Sequence, residues 1–293
     1  MKERVLIAVS EHGFWVEELL KPLNHLDAAG IGYDFISATG DGTPFPDAAS
    51  LDPPYVDPPL GRPVTDGDWL NAEADKRGIE KREDGSWNWD PYWQSLFDGR
   101  LNLKREFPLR PYLSADNYLV ALETYYGGRQ AAWDKLIDNY DALLLVGGGG
   151  PIVDMVNNNR LHDLILGFMD RDKPIAAECY TVTCLAFARE LDKRTSILRG
   201  KHVTGHTMEY DYTENWAIFA NGDWFSFGAP PYPLEYILRD TVGPDGGFHG
   251  NVGRKLSVIV DYPFITSRSV ASSDLCGEKL VEVLKHGLRR YGW

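Results

Sequence analysis

Cysteine is scarce in this chain, with three residues in 293. An odd, widely spaced trio makes neither a disulfide framework nor a zinc site, so free thiols in a reducing compartment are expected. Long apolar runs are missing as well. Arg4 to Ser10 is far too short for a leader's apolar core, and no stretch approaches the roughly 20 apolar residues of a spanning helix. A soluble, cytoplasmic protein without a membrane partner is the expectation. Basic clusters are also lacking: no Lys/Arg run of five or more relieves a net charge of −13, which repels phosphate backbones. Nucleic acid is therefore not an expected partner.

What the chain does have is core-forming material, 43% hydrophobic and 12% aromatic. Its pattern alternates strand and helix. Arg4 to Val9 reads as a buried strand, and Val16 to Ala29 repeats Leu19, Leu20, Leu23 and Leu26 at helical spacing until Gly30 stops it. Tyr33 to Ser37 is a second strand, so the opening is strand, helix, strand, the signature of a parallel sheet. Ala142 to Val146 is a further strand, followed by a helix from Leu161 to Met169. Lys173 to Glu178 is a strand and Tyr180 to Glu190 a helix. Two short strands, Leu256 to Val260 and Phe264 to Thr266, precede a closing amphipathic helix from Asp274 to Arg289. The sum is one doubly wound α/β domain over residues 1–293.

The stretch from about 51 to 111 breaks that rhythm with PPYVDPP and DGSWNWDPYWQSLF. It reads as an insertion, either packed on itself at the surface or serving as a lid or cap over a pocket. Trp69, Trp87, Trp89 and Trp93 carry too much apolar area to remain in water, so they pack on the core, a ligand or a second subunit. Trp89 and Trp93 are accordingly candidate substrate-binding residues.

Cys179 lies in PIAAECYTVTCLA, where an apolar strand turns into a helix. Ligands of open α/β sheets bind beyond the carboxyl ends of the strands, and a nucleophile at such a turn is pushed into the cleft with a helix N-terminus behind it. The geometry is that of a nucleophile elbow, with Ala177 and Thr181 where glycines are usual. A free cysteine is otherwise a small buried hydrophobe, which suffices for Cys184 and Cys276. Glu18, early on the helix after the first strand, is a carboxyl that the first loop can bring beside the cysteine, to share its proton and act as acid or base. Its alternative is a solvated first-turn acid, with Glu17 as competitor. Gly147 to Gly150, at another strand end, offer backbone N–H groups for an oxyanion. They match neither the GxxxxGK[ST] nor the GxGxxG phosphate pattern.

These pieces coincide with a family. GFWVEELLKPLNHLDAAGIGYDFISATG, YDALLLVGGGGPIVDMVNNNRLHDLI, KPIAAECYTVTCLA, GKHVTGHTMEYD and DYPFITSRSVASSDLCGEKLVEVL occur in an order that resembles the DJ-1/PfpI superfamily, with its class I glutamine-amidotransferase-like fold, and especially its larger Hsp31 and glyoxalase III-like members. The resemblance implies a flavodoxin-like α/β/α sandwich and a homodimer. It also implies Cys179 as the reactive cysteine with Glu18 as its acidic neighbour, and Gly148, Gly149 and the Tyr180 amide as oxyanion donors.

Two departures stand out. Relatives of the Hsp31 type carry histidine directly after the cysteine and read GGHG where this chain has Gly147 to Gly150. Here the residue after the cysteine is Tyr180, so an adjacent imidazole does not complete a triad. His206 and His12 are the candidate substitutes, Glu209 and Asp211 candidate acids, and Tyr180 itself a candidate proton donor. His12 and Glu209 also stand as candidate substrate-binding residues. His206 lies three before Glu209, which is not the His-x-Glu pair of glutamine amidotransferases.

The resulting expectation is a cysteine-nucleophile enzyme, of lyase, hydratase or hydrolase type, needing no metal or cofactor. Its partner is a small electrophilic molecule: carbonyl, thioester, nitrile or isonitrile. Glyoxalase III-like hydration of 2-oxoaldehydes is the alternative within the enzyme class. A stress chaperone using exposed tryptophans, or an oxidation sensor using a low-pKa cysteine, is the rival outside it.

Overall fold

A computed structural model describes residues 3–51, 56–57, 61–63, 67–190, 192–213, 216–220, 223–227 and 233–287. Seven strands form one sheet: β1 (Arg4–Ala8), β2 (Gly32–Ser37), β3 (Leu101–Asn102), β4 (Ala142–Leu145), β5 (Ile175–Glu178), β6 (Val258–Asp261) and β7 (Phe264–Ser267). Their order across the sheet is β6-β7-β5-β4-β1-β2-β3. All neighbours are parallel except the β6–β7 hairpin at one edge. This is a doubly wound, flavodoxin-like arrangement. From β1 the chain winds outward through β2 to β3, then returns to β4 on the other side and winds away through β5 to β7. The reversal leaves a crevice between the carboxyl ends of β1 and β4, where such folds place their ligands.

Helices cover both faces. Strand side chains alternate, and because both faces are buried the strands are apolar throughout. Val5, Ile7, Leu144 and Ala176 face α1 (Val16–Ala29) and the C-terminal α8 (Ser273–His286). Leu6, Ala8, Leu143, Leu145 and Ala177 face the other layer, which holds α4 (Tyr118–Leu136), α5 (Asn159–Asp170), α6 (Val182–Phe187) and α7 (Leu234–Val242). Helix α1 spans the residues its leucine spacing predicts. Gly30 closes it with a left-handed φ of 70° whose N–H returns to the carbonyls of Leu26 and Asp27. The 19-residue α4 has no counterpart in the sequence reading, and the helix predicted over 180–190 is shorter, a 3-10 turn at Cys179–Thr181 followed by α6.

The 51–111 stretch differs from the lid or cap expected of it, as far as it is described; residues 52–55, 58–60 and 64–66 lie outside the described residues. It supplies β3 to the sheet edge, and its helices include α2 (Gly67–Lys76) and α3 (Asp90–Leu96). Their apolar residues join the α1 layer rather than roof a cleft. Trp93 is fully buried. It meets Phe14 edge-on at 5.2 Å and stacks on Trp89 at 5.1 Å, and Phe97 closes the group. The expectation that Trp89 and Trp93 bind substrate is therefore corrected: both rings are spent on the core, beyond the reach of a ligand arriving from solvent. Trp69 and Trp87 are half-buried, each with a lysine ammonium over its ring, Lys21 and Lys81 respectively.

Trp93→Ala is expected to lower unfolding free energy by about 3–5 kcal/mol, the usual cost of emptying an aromatic core site. Denaturant unfolding measures it. A pocket-wall tryptophan would instead alter reactivity at Cys179 with stability nearly unchanged.

Candidate active site

Three loops meet at the crevice: Ser10 to Trp15 after β1, Gly147 to Gly150 after β4, and Cys179 after β5. The first two are stitched by backbone hydrogen bonds, Trp15 N–H to Gly147 O at 3.0 Å and Gly150 N–H to Gly13 O at 2.9 Å. The glycine run is explained by this closeness rather than by phosphate binding. A Cβ on Gly148, where φ is +114°, would lie 2.5 Å from Gly13 O and 2.6 Å from Trp15 N, and one on Gly150 would lie 2.6 Å from Gly13 N. With Trp15 tied down, α1 starts at a fixed point, and its third residue, Glu18, enters the crevice fully buried.

Cys179 has φ +56°, a left-handed conformation that is strained for a side chain with a Cβ. Such strain marks the elbow turn. Thr181, an awkward residue for an elbow glycine position, is instead its tie. Its hydroxyl lies 2.9 Å from Leu145 O and 2.7 Å from Glu178 O, and it accepts the Glu178 N–H at 3.1 Å. The Cys179 sulfur hydrogen-bonds with Glu18 and receives the backbone N–H groups of Gly148 and Tyr180. Glu18 Oε2 also borders Gly147, so that a methyl there would meet both it and Cys179 Cβ.

The electrostatics correct one expectation. Cys179 is 6% exposed. Burial first, and the Glu18 charge second, push its thiol well above the ordinary range, against the pull of the Gly148 and Tyr180 amides. This is not an exposed, low-pKa thiol. A thiolate forms here when Glu18 takes the proton, because two adjacent buried anions are far costlier than one. One proton shared by the pair is the arrangement that burial favours, and the Gly148 and Tyr180 amides lie where they stabilise charge on sulfur.

His206 is buried and lies beside the elbow. Its ring lies tilted against Tyr180 at 3.7 Å between centroids and against Tyr210 at 4.5 Å, and the Tyr210 hydroxyl is 2.9 Å from Ser269 Oγ. Tyr180, Leu234 and Ile152 form an apolar wall around Cys179. Glu209 is half-buried in the short helix after His206 (Met208–Thr213); the Asp211 side chain lies outside the described residues. His12 is half-buried, its N–H on Ser10 Oγ and its ring facing Asp154. The Gly148 and Tyr180 amides converge on the sulfur, and the Gly149 carbonyl accepts the Ile152 N–H as the chain turns. Cys184 and Cys276 are fully buried, and burial pushes both thiols up.

Sequence reasoning passed over Glu178. It ends an otherwise apolar strand and is fully buried, and burial pushes its carboxyl up to about 8. The signal was available as an acid in a strand with both faces covered. Asp154, which receives the Glu11 N–H, and Asp47 beside Gly13 are likewise held up at about 6 by burial. Among the described residues, no group of three or more His, Cys, Asp or Glu is arranged to hold a metal, and no helix is long and apolar enough to cross a membrane.

The ThiJ/PfpI family-like model matches residues 90–232. No curated protein matches the sequence. Among solved structures, the chain is similar to the Rapid Encystment Protein 24 kDa of Francisella tularensis, with a TM-score of 0.63 at 18% identity over 97% of this chain and 99% of that one. It is similar to glyoxalase III of Candida albicans, with a TM-score of 0.61 at 15% identity over 98% of each chain. At such identities the likeness is one of fold.

Two outcomes follow from this geometry. Gly147→Ala, whose methyl would be 2.7 Å from Cys179 Cβ, is expected to part the Cys179–Glu18 contact and slow alkylation of Cys179. Peptide mapping after iodoacetamide treatment reads this out, and an unchanged rate would contradict it. Second, Asp47, Asp154 and Glu178 have folded pKa values above their unfolded ones, so folding retains protons that the unfolded chain releases. Their contribution is lost as pH rises through the folded values, at about 1.4 kcal/mol per pH unit for each group titrating. The melting temperature is expected to fall from about pH 5 to pH 8, and Glu178→Gln to flatten the part from about pH 6 to pH 8.

Proposed function

We propose, from the ThiJ/PfpI family-like match over residues 90–232 and the shared fold, that the chain is a member of the DJ-1/PfpI superfamily and a cysteine-dependent enzyme acting on a small electrophilic molecule through a transient covalent adduct. The observation that carries the reading is the strained Cys179, whose sulfur hydrogen-bonds with Glu18 under two converging backbone amides. Strain of this kind persists only where its surroundings enforce it, and here they enforce the presentation of one atom.

The chemistry follows from the proton inventory. Glu18 takes the thiol proton as sulfur attacks the electrophilic carbon, and the electron pair displaced from the carbon–heteroatom π bond moves onto the heteroatom. The Gly148 and Tyr180 amides, released from the sulfur's full negative charge, face the atom that now carries it. Glu18 returns its proton to that atom, and addition of water or expulsion of the product frees the thiol. The wall of Tyr180, Leu234 and Ile152 suits a small apolar group beside the reacting carbon. Carbonyl, thioester and nitrile carbons meet this description; at an isonitrile, sulfur adds to the terminal carbon and the proton from Glu18 goes to that same carbon, giving a thioimidate that water then hydrolyses. A proton-shuttling acid without an adjacent imidazole fits lyase or hydratase chemistry better than peptide hydrolysis. In this reading His206, tilted against the ring of the residue after the nucleophile, orients Tyr180 toward substrate.

A second reading, hydration of 2-oxoaldehydes, shares this machinery, and the name of the Candida structure makes it a natural assay. The stress-chaperone reading loses its main support, since Trp89 and Trp93 are buried. The oxidation-sensor reading needs an exposed thiolate, and Cys179 is neither exposed nor lowered in pKa.

Turnover is to be measured on a panel containing an aldehyde, a 2-oxoaldehyde, a thioester, a nitrile and an isonitrile. Cys179→Ala is expected to abolish it, with an adduct on Cys179 trapped in the native protein. Glu18→Gln keeps a donor to the sulfur but cannot carry the proton, so turnover falls by about 100-fold or more while alkylation persists. Glu18→Leu loses both. Full turnover by Cys179→Ala would overturn the reading.

A further inference from the structure

Behind the elbow, on the opposite side of β5 from the substrate cleft, the sheet and two helices enclose a second set of ionisable groups. Glu178 points there, fully buried, its carboxyl facing the Ser267 hydroxyl of β7 and the Ser273 hydroxyl at the start of α8. None of these oxygens has a hydrogen-bond partner of normal geometry among the described residues. From α1 the half-buried Lys21 ammonium acts on the same carboxyl. Cys276, fully buried on α8, feels the charges of both Glu178 and Glu18. Glu178 and the Cys179–Glu18 pair thus occupy one water-excluded region, with the elbow's own backbone between them. Glu17, the neighbour of Glu18 in the first turn of α1, is buried as well. Among the described residues, Lys21 is the cation whose charge acts on Glu178, and it also lines a surface groove with Trp69, Lys255, Asp274 and Glu278.

Such a region cannot carry several negative charges at once. Moving a carboxylate into a low-dielectric interior costs several kcal/mol unless a counter-charge or good hydrogen bonds compensate it. One half-buried lysine compensates about one anion. Taking Cys179 and Glu18 as the reactive pair, and so resting on the function proposed above, we propose that Glu178 is a positioning residue that competes with this pair for the region's single negative charge. With Glu178 neutral, the charge settles on the pair and the sulfur is available as thiolate. With Glu178 ionised, the pair retains its second proton and the sulfur is silent. No atom of substrate is touched by Glu178 in this role. Its high carboxyl pKa, caused chiefly by burial, agrees with a group left neutral over much of the physiological range.

The test is the pH profile of Cys179 alkylation by iodoacetamide, read by peptide mapping on the full chain. Glu178→Gln, an isostere that cannot ionise, is expected to move the onset of reactivity to lower pH by about one unit, a tenfold faster alkylation at a fixed pH on the rising limb. Lys21→Met removes the compensating cation from a half-buried, tolerant position and is expected to move the onset the other way. It keeps the proposal decidable should Glu178→Gln fold poorly. A merely structural Glu178 would change the melting temperature and leave the onset in place. An onset unmoved by both substitutions would overturn the proposal. The enzyme reading is decided separately by turnover of Cys179→Ala, so the two can fail independently.

Discussion

Everything at the crevice depends on two chain segments lying closer than side chains allow. The loop after β1 and the glycine run after β4 exchange backbone hydrogen bonds at 2.9 and 3.0 Å, and only residues without a Cβ fit at Gly148 and Gly150. That contact fixes where α1 begins, and α1 in turn brings Glu18 to the sulfur of Cys179. It also turns the Gly148 amide toward that sulfur. A loop held less tightly would leave the Glu18 carboxyl and the Cys179 thiol, far apart in sequence, apart in space as well.

Burial then converts proximity into chemistry. In water an acid beside a thiol would simply be ionised and repel a thiolate. In a dry crevice, both groups cannot be charged, so the proton moves between them instead of leaving. Tyr180 fills the place where an imidazole is expected, and its ring lies tilted against His206, which in turn lies against Tyr210. In the function proposed, the site works by a two-group proton exchange between Cys179 and Glu18 backed by oriented amides, with Tyr180 and His206 forming one wall.

Much of this was legible in the sequence, for identifiable reasons. The β1-α1-β2 opening carries strong periodicity and a clear glycine stop, and α1 spans the predicted residues. The juxtaposition of Glu18 with Cys179 follows once the strands are parallel, because β4 alone separates β1 from β5. Helix α4 was not legible, since YLVALETYYGGRQAAWDKL mixes apolar residues around the whole helix and carries Gly127 and Gly128 in its interior. Trp89 and Trp93 were misread because composition cannot say what a ring packs on; Phe14 and Phe97, far apart in sequence, supply the surface. Glu178 was passed over although an acid ending a strand covered on both faces is itself a signal of burial. Thr181 shows the reverse, a residue that breaks the elbow's glycine pattern yet ties the turn through three contacts.

The central claim is that Cys179 and Glu18 titrate as one unit. Infrared titration of the S–H stretch and the protonated-carboxyl C=O stretch, compared between the native chain and its single variants, tests it most directly. The account predicts that Cys179→Ala displaces the Glu18 carboxyl titration and that Glu18→Gln displaces the Cys179 thiol titration, by matching amounts as linkage requires. Each group titrating unmoved by loss of the other would contradict it.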